Sequence, residues 1–345
     1  MAWRGVARRA NPRLNFRRTY LLSLACAAGL TAAGLLAWPR LALRLGVRPA
    51  PARVVERAPR WPEDGARLSA EGLALPAEAG VRRVYLDAGH GAPKNRGNTS
   101  CFCVAEEEFT QRAARALADR LEATGAFEVR ISREGDRLVD YRERVSDAEA
   151  WGADVFVSLH SDVRGKPERW TPRPDVVQAA AVAGEGEGEG GKCPVSLAAP
   201  GFSVLWSDEG APDLAARRLS VARAVARRME EAGFLAYSGA EYTGLYEGDA
   251  AQRGVFVDRH APDQRIFVLR RPSLPSVLVE THHALDPREA SRWELPETLD
   301  AFAAALGAAL AEALEPSPSA SMQDLAGSSG DPVGRAGFAP RSPAP

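Results

Sequence analysis

The sequence predicts a single α/β domain with a mostly parallel central sheet flanked by helices, preceded by an N-terminal membrane helix. From residue 81 onward, short apolar runs alternate with helical stretches, a pattern typical of a parallel sheet with helices on its faces. The apolar segment 20–38 follows an arginine-rich amino end and has about the length needed to span a bilayer. The 345-residue chain leaves enough sequence for one sizeable core besides this segment.

Composition divides the chain into five segments. They are a basic cytoplasmic segment at 1–19, a transmembrane anchor or export signal at 20–38, a tether at 39–80, the folded domain at 81–315 and a disordered tail at 316–345. Within the folded domain, residues 163–200 contain Gly-Glu repeats and are predicted to form a flexible insertion. This insertion begins just after His160 and is expected to shape substrate access.

Charge is unevenly distributed along the chain. Residues 1–60 contain twelve Arg and one Glu, so they contribute +11 to a total net charge of −1, and the remainder carries −12. An acidic domain argues against nucleic acid as a partner. The basic amino end instead indicates the cytoplasmic side of a membrane, with the rest of the chain outside.

The elements of the domain are predicted from their local patterns. Phe109, Ala113, Leu117 and Leu121 recur every four positions, which predicts a helix at 107–124 that ends at Gly125. Further helices are predicted at 138–151, at 212–231 and from Pro296 onward. Short apolar runs predict strands at 84–86, 127–131, 154–159, 202–206, 266–269 and 276–280.

Three cysteines follow the apolar segment: Cys101, Cys103 and Cys193. In an oxidising compartment an odd number leaves one thiol over. We therefore expect one disulfide, between Cys193 and either Cys101 or Cys103. A Cys-x-Cys pair without a second pair does not favour a zinc site made of thiolates.

Three residues that can bind metal or move protons come at the ends of predicted strands. His90 follows the first strand, His160 follows the third, and Glu280 ends the last. In an open α/β sheet the active site forms outside the carboxyl ends of the strands. Catalytic zinc takes three protein ligands, His or carboxylate, and leaves one position for water. Each residue alone is weak evidence, but together they predict a metal site at this edge.

Three motifs in order make a family resemblance specific. Residues 84–91 read Val-Tyr-Leu-Asp-Ala-Gly-His-Gly, residues 155–160 read Val-Phe-Val-Ser-Leu-His, and residues 275–281 read Pro-Ser-Val-Leu-Val-Glu-Thr. This set resembles the zinc-dependent N-acetylmuramoyl-L-alanine amidases, and the resemblance covers about residues 82–312. Ala88 stands where the family usually has Pro.

The resemblance implies roles for four residues. In the family, two His and a Glu at the start of the helix after the first motif bind Zn²⁺, which implies His90, Glu106 and His160. Glu107 is the alternative to Glu106, since this chain has Glu-Glu where the family usually has Glu-Lys. Glu280 matches the catalytic Glu, which would accept a proton from the attacking water and pass it to the leaving amine. Asp87 is expected to orient the His90 loop by hydrogen bonding.

The resemblance also implies a substrate, and the basic amino end with its apolar segment implies a location. The bond cut would be the amide between N-acetylmuramic acid and L-alanine in peptidoglycan, in the periplasm or cell envelope, by a protein anchored in the inner membrane or exported. Whether an activator protein is needed, and whether His282 and His283 contact the site, stays open. Two alternatives remain: a zinc amidohydrolase or peptidase of small peptides or N-acyl amino acids, and a catalytically inactive wall-binding regulator.

Overall fold

The computed structural model describes residues 59–70, 81–172 and 192–314. The predicted membrane helix, most of the predicted tether, the middle of the insertion and the tail lie outside these ranges. Within the described ranges, no helix combines the length and apolar character needed to cross a membrane.

Nine strands and six helices make up the described part of the chain. The strands are β1 Arg82–Ala88, β2 Phe127–Ile131, β3 Val155–Asp162, β4 Glu168–Trp170, β5 Cys193–Val195, β6 Ser203–Trp206, β7 Tyr246–Gly248, β8 Val255–Asp258 and β9 Ser276–His283. The helices are α1 Glu106–Glu122, α2 Tyr141–Trp151, α3 Pro212–Ala232, α4 Phe267–Arg270, α5 Pro287–Trp293 and α6 Pro296–Ala313.

Seven strands form one sheet in the order β2-β1-β3-β9-β6-β8-β7, and β4 pairs with β5 as a separate hairpin. The pairs β2–β1, β1–β3, β3–β9 and β6–β8 are parallel. The β6–β9 and β7–β8 pairs are antiparallel. The predicted α/β domain with a mostly parallel sheet is therefore confirmed.

Strand residues alternate between two apolar layers. Leu86, Val157 and Val277 face the larger layer, which α1, α3 and α6 cover with residues such as Leu117 and Leu306. The residues between them on the strands face the opposite side, where α2 and α4 cover a smaller layer that includes Tyr85, Phe156, Val145 and Leu269. Because both faces are buried, the central strands read as continuous apolar runs.

One predicted strand is wrong. Residues 266–269 were expected to be extended, but Phe267–Arg270 forms the short helix α4. The backbone N–H of Ile266 donates to the buried carboxylate of Asp258 at 2.7 Å, which fixes the chain as it enters the helical turn. A four-residue apolar run is compatible with either structure, since it is too short to show a period. The edge strand β7 and its neighbour β8 were not predicted.

Part of the predicted tether packs on the domain. Trp61 is buried, and its ring lies 5.4 Å from that of Phe234 between centroids. Arg292 donates from Nε to the carbonyl of Pro62 at 2.9 Å, and its guanidinium lies over the Trp61 ring. Residues near Trp61 are thus held against the end of the helical layer.

The two ends of the predicted flexible insertion are ordered. Cys103 and Cys193 form a disulfide, which joins β5 to the loop before α1. Trp170 of β4 donates from Nε1 to the carbonyl of Cys101 at 2.9 Å, and Cys101 is a buried free thiol. The expected disulfide is confirmed, and Cys103 is the partner of Cys193.

Removing this disulfide should lower the stability of the domain. The bond closes a loop across 90 positions, so the Cys103→Ser/Cys193→Ser double variant is expected to lose about 2–4 kcal/mol of unfolding free energy. Urea unfolding measures the loss, with Cys101→Ala as the control for replacing a buried thiol. An unchanged unfolding midpoint in the double variant would contradict the prediction.

Candidate metal centre and active site

His90 sits in an unusual backbone conformation directly after β1. Its φ is +58°, a region that residues other than Gly rarely occupy. Its Nδ1 lies 2.8 Å from Oδ1 of Asn95, and Asn95 donates from Nδ2 to the hydroxyl of Tyr141 at 2.9 Å. Since an amide oxygen only accepts, Nδ1 carries the proton when His90 is neutral, and the lone pair of Nε2 would then be available to a metal ion.

His160 lies beside this loop on the neighbouring strand. The backbone N–H of Gly89 donates to the carbonyl of Leu159 at 3.0 Å, which continues the β1–β3 pairing past the end of β1. A Cβ atom on Gly89 would lie 2.4 Å from Nε2 of His160. Glycine is therefore required here, because any side chain would displace the imidazole.

Glu106 is the first residue of α1, and its carboxylate is buried between the two His rings. One oxygen lies 2.9 Å from Nε2 of His90, and the other lies 3.1 Å from Nδ1 of His160. The carboxylate also accepts hydrogen bonds from the backbone N–H of Ser161 at 2.9 Å and from Nδ2 of Asn98 at 2.7 Å. Four groups from three chain segments thus fix its position.

The three residues offer ligand atoms that all lie within 4.8 Å of one another, so they could hold a metal ion. Burial opposes ionisation of Glu106, but its hydrogen bonds with His160 and His90 hold its pKa well below the ordinary value. Burial lowers the pKa of His90, but the hydrogen bond and charge of Glu106, together with the hydrogen bond of Asn95, raise it above its ordinary value. Because a metal ion needs neutral imidazole, binding would release protons and strengthen with rising pH.

The neighbouring acidic residues point elsewhere. The carboxylate of Glu107 pairs with Arg96, and that of Glu108 lies 2.8 Å from the same guanidinium. Both are thus engaged with Arg96. The structure brings Glu106, and not the alternative Glu107, to the two His.

Glu280 lies beside the cluster, in the middle of a strand rather than at its end. It is opposite His160 in the β3–β9 register, and β9 continues to His283 past an irregularity in β3. Its Oε2 is buried and has no hydrogen-bond partner among the described residues. Burial raises the pKa of Glu280 well above its ordinary value, and the charges of Asp162 and Glu106 raise it further.

Several polar residues that sequence reasoning did not identify lie near Glu280. Asp162 accepts from the Tyr242 hydroxyl at 2.6 Å and from Nε of Arg164 at 2.8 Å. The Tyr242 oxygen also lies 2.9 Å from the hydroxyl of Ser203, the residue opposite Glu280 on β6. Asp162 follows His160 by two positions on the same strand, and this spacing could have predicted that Asp162 lies near the site. Tyr242 lies 80 positions from Asp162, and no local pattern reveals such a contact.

Asp87 acts on the His90 loop indirectly. Its carboxylate is buried, lies 2.9 Å from the guanidinium of Arg144 and accepts from the Ser158 hydroxyl at 2.7 Å. Arg144 in turn donates to the carbonyl of His90. Asp87 therefore reaches the His90 loop through Arg144, an arginine that sequence reasoning missed.

His282 and His283 are buried residues of β9. His282 stacks on Trp293 with 5.6 Å between ring centroids, and burial lowers its pKa to about 3. His283 accepts from the backbone N–H of Arg164 at 3.2 Å through Nδ1. Neither belongs to the three-residue metal cluster. The Nδ1 atom of His260 lies 2.7 Å from the carboxylate of Asp258.

The fold and the site together define an α/β protein with a two-His, one-Glu metal cluster and a fourth carboxylate beside it. A comparison with family models places the chain within a known group: residues 84–312 match the model of N-acetylmuramoyl-L-alanine amidases. This match covers more than half of the chain, and the chain belongs to that family.

Individual proteins described as N-acetylmuramoyl-L-alanine amidases match shorter parts of the chain. The chain is 32% identical over 90 residues to N-acetylmuramoyl-L-alanine amidase AmiC of Escherichia coli O6:H1, covering 25% of this chain and 21% of AmiC. It is 31% identical over 84 residues to the amidase CwlM of Bacillus licheniformis, covering 24% of this chain and 32% of CwlM. The matched stretches thus span between about a fifth and a third of these relatives.

Among solved structures, the Ami1 amidase of Mycobacterium smegmatis aligns with 68% of this chain and 98% of its own, at 21% identity and a TM-score of 0.49. The AmiC2 amidase of Nostoc punctiforme aligns with 69% of this chain and 99% of its own, at 21% identity and a TM-score of 0.44.

Replacing Glu106 and Glu107 one at a time should show which of them is the metal ligand. Glu106→Gln removes one charge from the cluster and is expected to weaken zinc binding at least about 100-fold, more than loss of a residue that only supports a ligand. Glu107→Gln loses only its contact with Arg96 and should bind zinc as the wild type does. Competition with a chromogenic chelator gives both affinities. Equal zinc affinity in the two variants would contradict the assignment of Glu106.

Proposed function

We propose that this chain is a zinc-dependent cell-wall hydrolase that cuts the amide between N-acetylmuramic acid and L-alanine in peptidoglycan. One observation carries the proposal. His90, Glu106 and His160 converge within 4.8 Å of one another, and Glu280 pairs in register with His160 on the next strand. Membership of the amidase family supplies the bond and the substrate.

The donor set fits zinc. Two imidazole nitrogens and a carboxylate oxygen are the ligands of many catalytic zinc sites, which keep a further position for water. The two His side chains keep 19% and 13% of their surface exposed, so solvent and substrate can reach the cluster. Zinc, when bound, lowers the pKa of water at the site and polarises the amide carbonyl.

Glu280 is suited to moving the proton in this reaction. Burial raises the pKa of Glu280, which makes its carboxylate a stronger proton acceptor than an ordinary glutamate. Its buried Oε2 accepts no hydrogen bond from the described residues, so no protein donor competes for that lone pair. We propose that Glu280 takes a proton from the attacking water and delivers it to the leaving amine of L-alanine.

The reaction is tested with peptidoglycan and the full chain in mild detergent. Wild-type protein should release stem peptides that begin with L-alanine, and a chelator should abolish the release until zinc is added back. Glu280→Gln should reduce the rate by about 10²–10⁴-fold while zinc binding is retained. Mass spectrometry identifies the products.

The outcomes separate the alternatives. Cleavage of small N-acyl amino acids without release from peptidoglycan would point to the amidohydrolase reading. Stoichiometric zinc with no cleavage of either substrate, unless an envelope protein is added, would show that an activator is needed. A folded chain without zinc or cleavage would leave only the inactive wall-binding reading.

We further propose that the domain works in the periplasm or cell envelope, held to the inner membrane or exported by residues 1–38. The Cys103–Cys193 disulfide supports this, because such bonds persist in oxidising compartments. Fractionation of cells expressing the tagged chain tests the location. The full chain should be found with the envelope and a chain lacking residues 1–38 in the cytoplasm, and equal distribution of the two would refute the proposal.

A further inference from the structure

Two buried arginines converge on the backbone that presents His90. Arg144 of α2 is fully buried, and Arg133, which follows β2, is 4% exposed. Arg133 donates from Nε to the carbonyl of Ala88 at 2.9 Å and from Nη2 to that of Gly89 at 3.1 Å. Arg144 donates to the carbonyl of Ala88 at 3.1 Å and to that of His90. Three consecutive carbonyl groups are thus bound by two guanidinium groups.

The ligand loop needs such support because its conformation is unfavourable by itself. His90 and Gly91 have φ values of +58° and +64° in succession. A residue other than Gly keeps such a backbone only where its surroundings hold it in place. The carbonyl of His90 has left the strand pairing, and the guanidinium of Arg144 satisfies it. Loss of that donor would leave a partly buried carbonyl without the hydrogen bond from Arg144 and remove a restraint on the His90 backbone.

Arg144 also connects the two strands that carry the His ligands. Its ion pair with Asp87 on β1 has both side chains fully buried, and the same carboxylate accepts from Ser158 on β3, two residues before His160. Arg144 further donates from Nε and Nη2 to the carbonyl of Val139, just before α2. One guanidinium therefore fixes β1, the His90 loop and the start of α2 relative to one another.

We propose that Arg144, paired with Asp87, is a positioning residue of the metal centre, and that its guanidinium sets the affinity and ligand geometry of the bound metal through His90. The inference rests on the proposed zinc site, but its readout does not need the amidase reaction. Lysine cannot substitute, since a single ammonium on a flexible stem cannot bind Asp87 and three separate carbonyl groups together.

Arg218 provides a matched control for replacing a buried arginine. It is also fully buried, and it donates to the carbonyl groups of Glu209 at 2.6 Å and Pro272 at 2.7 Å, neither of which belongs to the metal cluster. Arg144→Lys and Arg218→Lys should therefore both lose stability through broken buried hydrogen bonds. Urea unfolding of the full-length chains without metal measures this common effect.

Metal binding separates the two positions. Zn²⁺ affinity is measured by competition with a chromogenic chelator, and the visible absorption of bound Co²⁺ reports the ligand geometry. Arg144→Lys should bind Zn²⁺ about 10–100-fold more weakly, the range for residues that support metal ligands, and should show an altered Co²⁺ spectrum. Arg218→Lys should keep both the affinity and the spectrum of the wild type. Unchanged Zn²⁺ affinity and Co²⁺ spectrum in Arg144→Lys, or equal changes in both variants, would overturn the inference.

Asp87→Asn keeps the inference testable where Arg144→Lys does not fold. This variant retains the shape of the side chain and removes the charge that orients Arg144, and it should weaken Zn²⁺ binding about 10-fold. A folded Asp87→Asn chain with wild-type affinity would overturn the proposal.

The proposed reaction can fail separately. Wild-type protein that binds one Zn²⁺ and does not cleave peptidoglycan, with weaker binding in Arg144→Lys, would support the positioning role and refute only the amidase reaction. Wild-type protein that binds no Zn²⁺ would overturn both.

Discussion

The parallel pairing of β1 with β3 is the constraint on which the rest of the site depends. The two strands run side by side from Val84 opposite Val155 to Ala88 opposite Leu159, and the pairing continues through Gly89 to the carbonyl of Leu159. Because both strands end at the same edge of the sheet, His90 and His160 come together, with 4.7 Å between their ring centroids. The next parallel pair, β3 with β9, sets Glu280 opposite His160.

The remaining contacts stabilise the buried Glu106 carboxylate and the His90 loop, both of which are unfavourable by themselves. A buried carboxylate between two imidazoles is favourable only while its hydrogen bonds are kept, and Ser161 and Asn98 supply further donors to Glu106. Gly89 leaves room for the His160 ring, and Arg144 and Arg133 bind the carbonyls of a loop that has left the sheet. The disulfide from Cys103 joins β5 to the loop that leads into Glu106. Stability and metal binding are therefore coupled around one loop.

The sequence predicted the central strands and singled out His90, His160 and Glu280 because each of these signals is local, whereas Glu106 was chosen through the family resemblance. Apolar runs mark the buried strands, and His90, His160 and Glu280 occur in short motifs on them. Local signals could not predict contacts made by side chains far apart in the chain. Arg144 lies 57 positions from Asp87, and nothing in its helix distinguishes it from an exposed arginine. The choice between Cys101 and Cys103 depends on which thiol faces β5, and α4 was mistaken for a strand because four apolar residues fit both structures.

Anomalous diffraction from zinc-loaded crystals, recorded on both sides of the zinc absorption edge, tests the central claim most directly. We expect one strong peak per chain, about 2.0–2.2 Å from Nε2 of His90, Nδ1 of His160 and a carboxylate oxygen of Glu106. A zinc peak whose ligands are other residues would contradict the account. So would a folded chain at full zinc occupancy in which His90 and His160 do not bind the same ion.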